Sequence, residues 1–172
     1  LWGKPDWIDH NRNLNDRQKN RLEKGKKRSL NSPGTFWEYN DVRVNVLSYA
    51  LMLAFERSLP DVLREHIMVP IGASNTWKWH GYENSWDEVN GKRLQSVSGG
   101  AHWGGGLWIS TLDLARIGQL MINQGLWDGK EVIPKKWVEM STKPCELALN
   151  YGYLWWLNDK QSGMFPGTPT TA

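Results

Sequence analysis

A run of apolar residues at helical spacing begins just after Tyr39. Val42, Val46, Ala50, Leu53 and Ala54 form one stripe that continues to about Arg57. The stripe predicts a helix, with Asn40 or Asp41 placed to accept the free N–H groups of its first turn. A second helix is expected at Pro60, a residue suited to a first helical turn, with Val62, Leu63 and Ile67 on one face and Pro70 and Gly72 at its end. Residues 73–100 mix tryptophan, charge and turn residues and read as an irregular excursion, with Asn90-Gly91 as a hairpin-turn dipeptide. Gly99 to Gly106 is a glycine-rich loop, and Leu107-Trp108-Ile109 is a short strand candidate. Ser110-Thr111-Leu112-Asp113 matches a capping box. Leu114, Ile117, Met121 and Ile122 are the expected buried stripe of the helix it opens, and Gly125 is its expected C′ stop. Trp127 to Lys130 turns the chain, Pro134 opens another short helix through Met140, and Tyr151 to Leu157 reads as a strand apolar on both faces. Helices followed by one buried strand predict an α+β fold in which a helical region returns to a sheet.

Residues 1–35 show turn chemistry without sustained periodicity. Composition bounds the rest. At 172 residues with a 40% apolar share, the chain is long enough for one domain with a core. Its twelve tryptophans fit an aromatic-lined cleft or a densely packed core equally well. The net charge of +3 comes largely from Arg17 to Arg28, which reads either as a solvated face or as a patch for phosphate. No zinc-finger spacing or RNP-like aromatic signature accompanies that run, so nucleic acid is not an expected partner. Cys145 is the single cysteine, which excludes an internal disulfide and leaves the compartment, periplasmic or cytoplasmic, open. No apolar stretch approaches the ~18 residues of a membrane span.

Tyr39 is the first candidate for chemistry. A phenol has a reference pKa near ~10 and becomes a useful base only where its anion is stabilised. A helix N-terminus offers partial positive charge, and a neighbouring lysine would lower the pKa further. The alternative is a tyrosine packed as a staple beside the helix start. His102 and Trp103 are the next candidates. Their glycine neighbours let backbone approach a ligand, and an indole face holds an apolar or cyclic group; a tight crossing between elements is the alternative. The loop lacks the G-K-[ST] ending of a phosphate cradle. His10, His66 and His80 have no metal-ligand spacing, so neither a metal nor another cofactor is expected. Asp113 and Arg116 read as a helix brace.

Four segments together carry a resemblance. Pro33-Gly34-Thr35-Phe36-Trp37-Glu38-Tyr39-Asn40-Asp41 is similar to P-G-x-x-[FW]-x-Y-[SA]-N. Leu63 to Thr76 is similar to L-x-x-x-I-x-x-P-L-G-M-x-x-T, and Gly104 to Gly118 to G-G-G-L-x-S-T-x-x-D-L-A-R-F-G. Gly125 to Trp137 fits G-x-W-x-G-x-x-x-I-P-x-x-W. In this order they resemble the serine β-lactamase and penicillin-binding-protein family, including class C β-lactamase-related esterases and DD-peptidases, and cover most of residues 33–157.

The resemblance implies a partial β-lactamase-like domain. Residues 1–38 would be an irregular lead-in, 39–145 a mainly helical region, and 146–172 the start of the return to an antiparallel sheet. It implies that Tyr39 moves protons in a Tyr–Lys–Ser network, that Asp41 stands at a substrate-orienting position, with His102 and Trp103 the further substrate-contact candidates from the loop's own chemistry, and that the serine and lysine of S-x-x-K precede Leu1. A K-T-G or H-x-G strand would follow Ala172. The piece alone would then be inactive. Asp41 stands where the family pattern carries asparagine; an ionised carboxylate only accepts hydrogen bonds, which favours an esterase or amide hydrolase over a β-lactamase. Small ester, amide or β-lactam-like molecules are the implied substrates. The competing readings are a catalytically dead ligand-binding relative and a tryptophan-rich carbohydrate-binding module, which would be mostly β-sheet.

Overall fold

Helix α1, Asp41–Phe55, forms where the apolar periodicity predicts it, but it buries a different face. In the computed structural model, which describes residues 31–32, 34–37, 39, 41–99 and 106–158, its buried residues are Asn45, Ser48, Tyr49 and Met52. Ala50, Leu53 and Ala54 of the expected stripe are exposed, as are Leu47, Leu51 and Phe55. Apolar residues lie on every side of this helix, so their spacing does not select a face. Hydrogen bonds made by the buried residues Asn45 and Tyr49 do.

The described residues divide into two compact units. The first comprises Tyr39–Met68 and Ser74–Ser110. Its core is Tyr49, Met52, Leu59, Val89 and Val97, with Val46, Trp79, Tyr82 and Leu94 packed against it. After α1 the chain turns through Glu56 at φ 52°. Ser58 then caps α2, Leu59–Leu63, its Oγ accepting the Asp61 N–H at 3.3 Å, with Pro60 in the first turn as expected. The helix runs on into one π-helical turn, Arg64–Met68. Arg57 pairs with Glu65 at 2.5 Å across this segment, and the Arg64 guanidinium lies 5.2 Å from the centre of the Trp77 ring.

The excursion expected over residues 73–100 is instead mostly a hairpin. β1 (Lys78–Val89) pairs antiparallel with β2 (Lys92–Val97), from Val89 opposite Lys92 to Gly81 opposite Val97. Asn90 at φ 48° and Gly91 at φ 72° make the tight turn that the dipeptide predicts, with the right-handed twist such a hairpin needs. The register shifts between Gly81 and Trp86, and this bulge removes the strict alternation by which a strand is recognised in sequence. β3 (Gly106–Trp108) pairs with the start of β1, giving a sheet of order β2-β1-β3. Residues 39–145 therefore hold a sheet as well as helices.

The second unit includes Val69–Ala73 and the described residues from 111 onward. Helix α3, Thr111–Ile122, buries Asp113 and Leu120, with Arg116, Ile117 and Met121 half-buried beside them. Leu114 and Ile122, expected on the buried stripe, are exposed; the helix is rotated so that Asp113, braced by Arg116 at 3.3 Å, faces inward. The helix closes in a Schellman arrangement. The Gln124 N–H donates to the Met121 carbonyl at 3.0 Å and the Gly125 N–H to that of Leu120 at 2.9 Å. Gln124 is thus C′, and Gly125 the residue after it. The Gly125 carbonyl then accepts the N–H groups of Val132 and Ile133, bringing the strands so close that a Cβ at Gly125 would collide with the Ile133 carbonyl oxygen. β4 (Leu126–Trp127) and β5 (Lys130–Glu131) flank a turn at Asp128 and Gly129, and Pro134 leads into α4, Lys135–Ser141.

The strand expected at Tyr151 to Leu157 is a tight reversal. A single bridge joins Tyr151 and Trp156, the Gly152 N–H donates to the Trp155 carbonyl at 2.9 Å, and Leu154 sits at φ 64°. The Tyr153 N–H donates to the Ser141 carbonyl at 2.8 Å and the Leu157 N–H to that of Asn150 at 2.8 Å. Tyr153, Leu154, Trp155 and Trp156 are exposed, so the apolar run is not a doubly buried strand. Trp37, Tyr151 and Trp156 pack edge-to-face, with Tyr151 and Trp156 centred 4.8 Å apart. The α+β class read from the sequence is the class observed.

Candidate active site

Tyr39 stands two positions ahead of the first residue of α1, at the end where the positive pole of the helix dipole lies. It exposes 47% of its surface. A second tyrosine in the same unit has the opposite environment. Tyr49 is buried, and its hydroxyl donates to the carboxylate of Asp87 on β1. Burial first, then that hydrogen bond and the negative charge of Asp87, push its pKa from 10.0 to about 12. Tyr49 is held as a neutral phenol and serves packing, leaving Tyr39 as the tyrosine of this unit with both exposure and a helix N-terminus.

The glycine-rich loop is fastened at both ends to one residue. The Ser98 N–H donates to the His80 carbonyl at 3.1 Å, and Gly106 is the strand partner of His80 across β1 and β3. Further bonds hold the outgoing end. The Trp79 indole N–H donates to the Ser98 carbonyl at 2.8 Å, the Ser98 hydroxyl meets the Tyr82 hydroxyl at 3.1 Å, and the Gly99 N–H donates to Asn45 Oδ1 at 2.9 Å. The His80 ring rests edge-on against Trp108, 5.2 Å between centres. A loop that leaves and rejoins the sheet at one place is held at its root, the property wanted of backbone that approaches a ligand.

His102 and Trp103 lie within that loop and outside the described residues, as does Asn40. The backbone of Asp41 opens α1, while its side chain is outside the description. The basic run from Arg17 to Arg28 is likewise outside it. Asn45, Ser98 and Tyr82 were not singled out from sequence. The available signal was an asparagine in the middle of an otherwise apolar helical segment, a residue that disfavours helix interiors unless its amide is used.

Among the described residues, no three His, Cys, Asp or Glu side chains gather as a metal site would require, and no helix is long and apolar enough to cross a membrane. Cys145 lies in a loop, half-buried, its N–H donating to the Tyr151 carbonyl at 2.8 Å. The helices exclude a carbohydrate-binding module built mainly of sheet. No serine of the chain is followed three positions later by lysine.

The family described as Beta-lactamase matches residues 3–171. Among solved structures, the chain is similar to the crystal structure of a putative beta-lactamase from Bacteroides dorei DSM 17855, with 16% identity and a TM-score of 0.51. That likeness covers 71% of this chain and 33% of the other, so the chain spans about a third of the length of the structure it resembles. No curated protein sequence matches it. The family match and the shared α+β fold agree with the motif order from Pro33 to Trp137.

Proposed function

This chain belongs to the beta-lactamase family, and on that premise we propose that it is part of a serine hydrolase working through an acyl-enzyme, with Tyr39 as a proton-transfer residue. The observation that carries the reading is the exposed Tyr39 immediately ahead of the helix N-terminus. Its hydroxyl would exchange a proton with a lysine of the S-x-x-K motif. That motif is absent from residues 1–172, so its serine and lysine would come from another part of a longer protein.

The reaction needs two balanced steps. The serine Oγ bonds to the carbonyl carbon as its proton passes through the Tyr39–lysine pair to the departing alcohol or amine. Water then adds to the acyl carbon, giving up one proton to the same pair, and the serine oxygen leaves and is reprotonated. Asp41 is proposed to face the substrate. As a carboxylate it offers acceptors only, where an asparagine would also donate to a carbonyl; this favours ester or simple amide substrates over β-lactams. His102 and Trp103 are proposed to line the acyl side, and the anchoring of their loop at His80 supports that assignment. Residues 1–172 alone should then lack turnover.

Intact-mass spectrometry of the full-length protein with a p-nitrophenyl ester tests the proposal. The expected result is a transient acyl adduct and steady release of p-nitrophenol. Reversible ligand binding with neither adduct nor release would replace the enzyme by a noncatalytic binder.

A further inference from the structure

The root of the glycine-rich loop is tied to the helix that follows Tyr39, and the tie runs through one side chain. Asn45 is fully buried, six positions after Tyr39, among apolar neighbours on α1. Its Oδ1 accepts the Gly99 N–H at 2.9 Å and the Ser98 hydroxyl at 3.4 Å. A backbone N–H can only donate, so the atom facing Gly99 must be the amide oxygen. The Nδ2 atom is buried and has no acceptor among the described residues. An amide so placed costs stability unless its remaining bonds accomplish something an apolar residue could not.

Packing reinforces the tie. A Cβ on Gly99 would collide with Cγ1 of Val44, the residue before Asn45, so the loop root lies directly on the helix backbone. Leu or Met at position 45 would fill the core as well and would release Gly99. The arrangement ties the outgoing strand end to α1, the helix that Tyr39 immediately precedes.

We propose that Asn45 is a positioning residue. It clamps Ser98–Gly99 to α1 so that this end of the sheet and Tyr39 hold a fixed relative geometry during acyl transfer, an inference that rests on the serine-hydrolase reading above. The clamp acts through Gly99 and touches no reacting atom.

The test uses the full-length protein with three substitutions, a p-nitrophenyl ester and hydrogen exchange at Gly99. Asn45→Ala should speed exchange of the Gly99 amide roughly tenfold or more, since its bond is gone. The same change should lower kcat by roughly 10- to 100-fold with KM nearly unchanged, the scale of a misplaced catalytic geometry. Gly99→Ala leaves Asn45 in place but forces the loop root away from Val44, and should lower kcat comparably; it serves also if Asn45→Ala does not fold. Met52→Ala damages the same helix core without touching the loop, and should leave both kcat per folded molecule and Gly99 exchange near wild type. Unchanged Gly99 exchange in Asn45→Ala, unchanged kcat in Gly99→Ala, or an equal loss of kcat in Met52→Ala would each overturn the proposal. A wild-type protein without ester turnover would remove the hydrolase reading, while Gly99 exchange would still decide whether the clamp exists.

Discussion

Replacing Tyr49 by phenylalanine isolates one part-buried hydrogen bond in the first unit. The ring of Tyr49 is 3% exposed and packs with Met52, Leu59, Val89 and Val97, so phenylalanine keeps the packing and opens no cavity. What disappears is the hydroxyl that donates to Asp87. A hydrogen bond to a charged group contributes about 1.5–3 kcal/mol, and that is the expected loss in urea unfolding of the full-length protein near neutral pH. The pH dependence gives a second, independent signature. Because the folded-state pKa of Tyr49 is raised from 10.0 to about 12, the unfolded chain releases this proton first as pH rises. The stabilisation is therefore complete below pH 10 and is lost as pH climbs toward about 12. Phenylalanine has no such proton, so the gap between wild type and Tyr49→Phe should close over that window. A variant as stable as wild type at neutral pH, or a gap that stays constant through pH 12, would refute the reasoning.

Two further substitutions test local chemistry by the same unfolding assay. Gly125 sits at φ 84° with the Ile133 carbonyl where a Cβ would lie, so Gly125→Ala should cost about 2 kcal/mol or more, combining left-handed strain with a backbone clash; wild-type stability would contradict the close approach. Ser58→Ala removes the α2 cap and should cost roughly 1 kcal/mol, while Ser58→Asn should stay within a few tenths of wild type. Equal stability of the alanine and asparagine variants would show that the cap contributes nothing.

The features legible in the sequence are those specified by a few adjacent residues. Asn90-Gly91 and Asp128-Gly129 turn the chain because both residues of each pair tolerate positive φ, and Pro60 opens a helix because its missing N–H is not needed there. The start of α1 just after Tyr39 was legible for the same reason. Features set by distant partners were not. The buried face of α1 depends on Asn45 meeting Gly99 and Tyr49 meeting Asp87, residues from 38 to 54 positions apart, and no periodicity encodes such pairs. The bulge after Gly81 hid β1 by breaking its alternation. At Tyr151 to Leu157 the side chains are those of a buried strand, but Leu154 at positive φ and the bond from the Gly152 N–H to the Trp155 carbonyl make a reversal. Loop anchoring at His80 was invisible for the same reason: it is a backbone arrangement, indifferent to the histidine side chain.

The most direct test of Tyr39 as a proton-transfer group is the steady-state kcat of the full-length protein carrying Tyr39→Phe, assayed on a p-nitrophenyl ester. Phenylalanine preserves the exposed ring ahead of α1 and deletes only the oxygen, and urea unfolding of the variant checks the fold alongside the rate. A fall in kcat of about 10² or more, with the fold intact, is the predicted result. Wild-type turnover in Tyr39→Phe would contradict it.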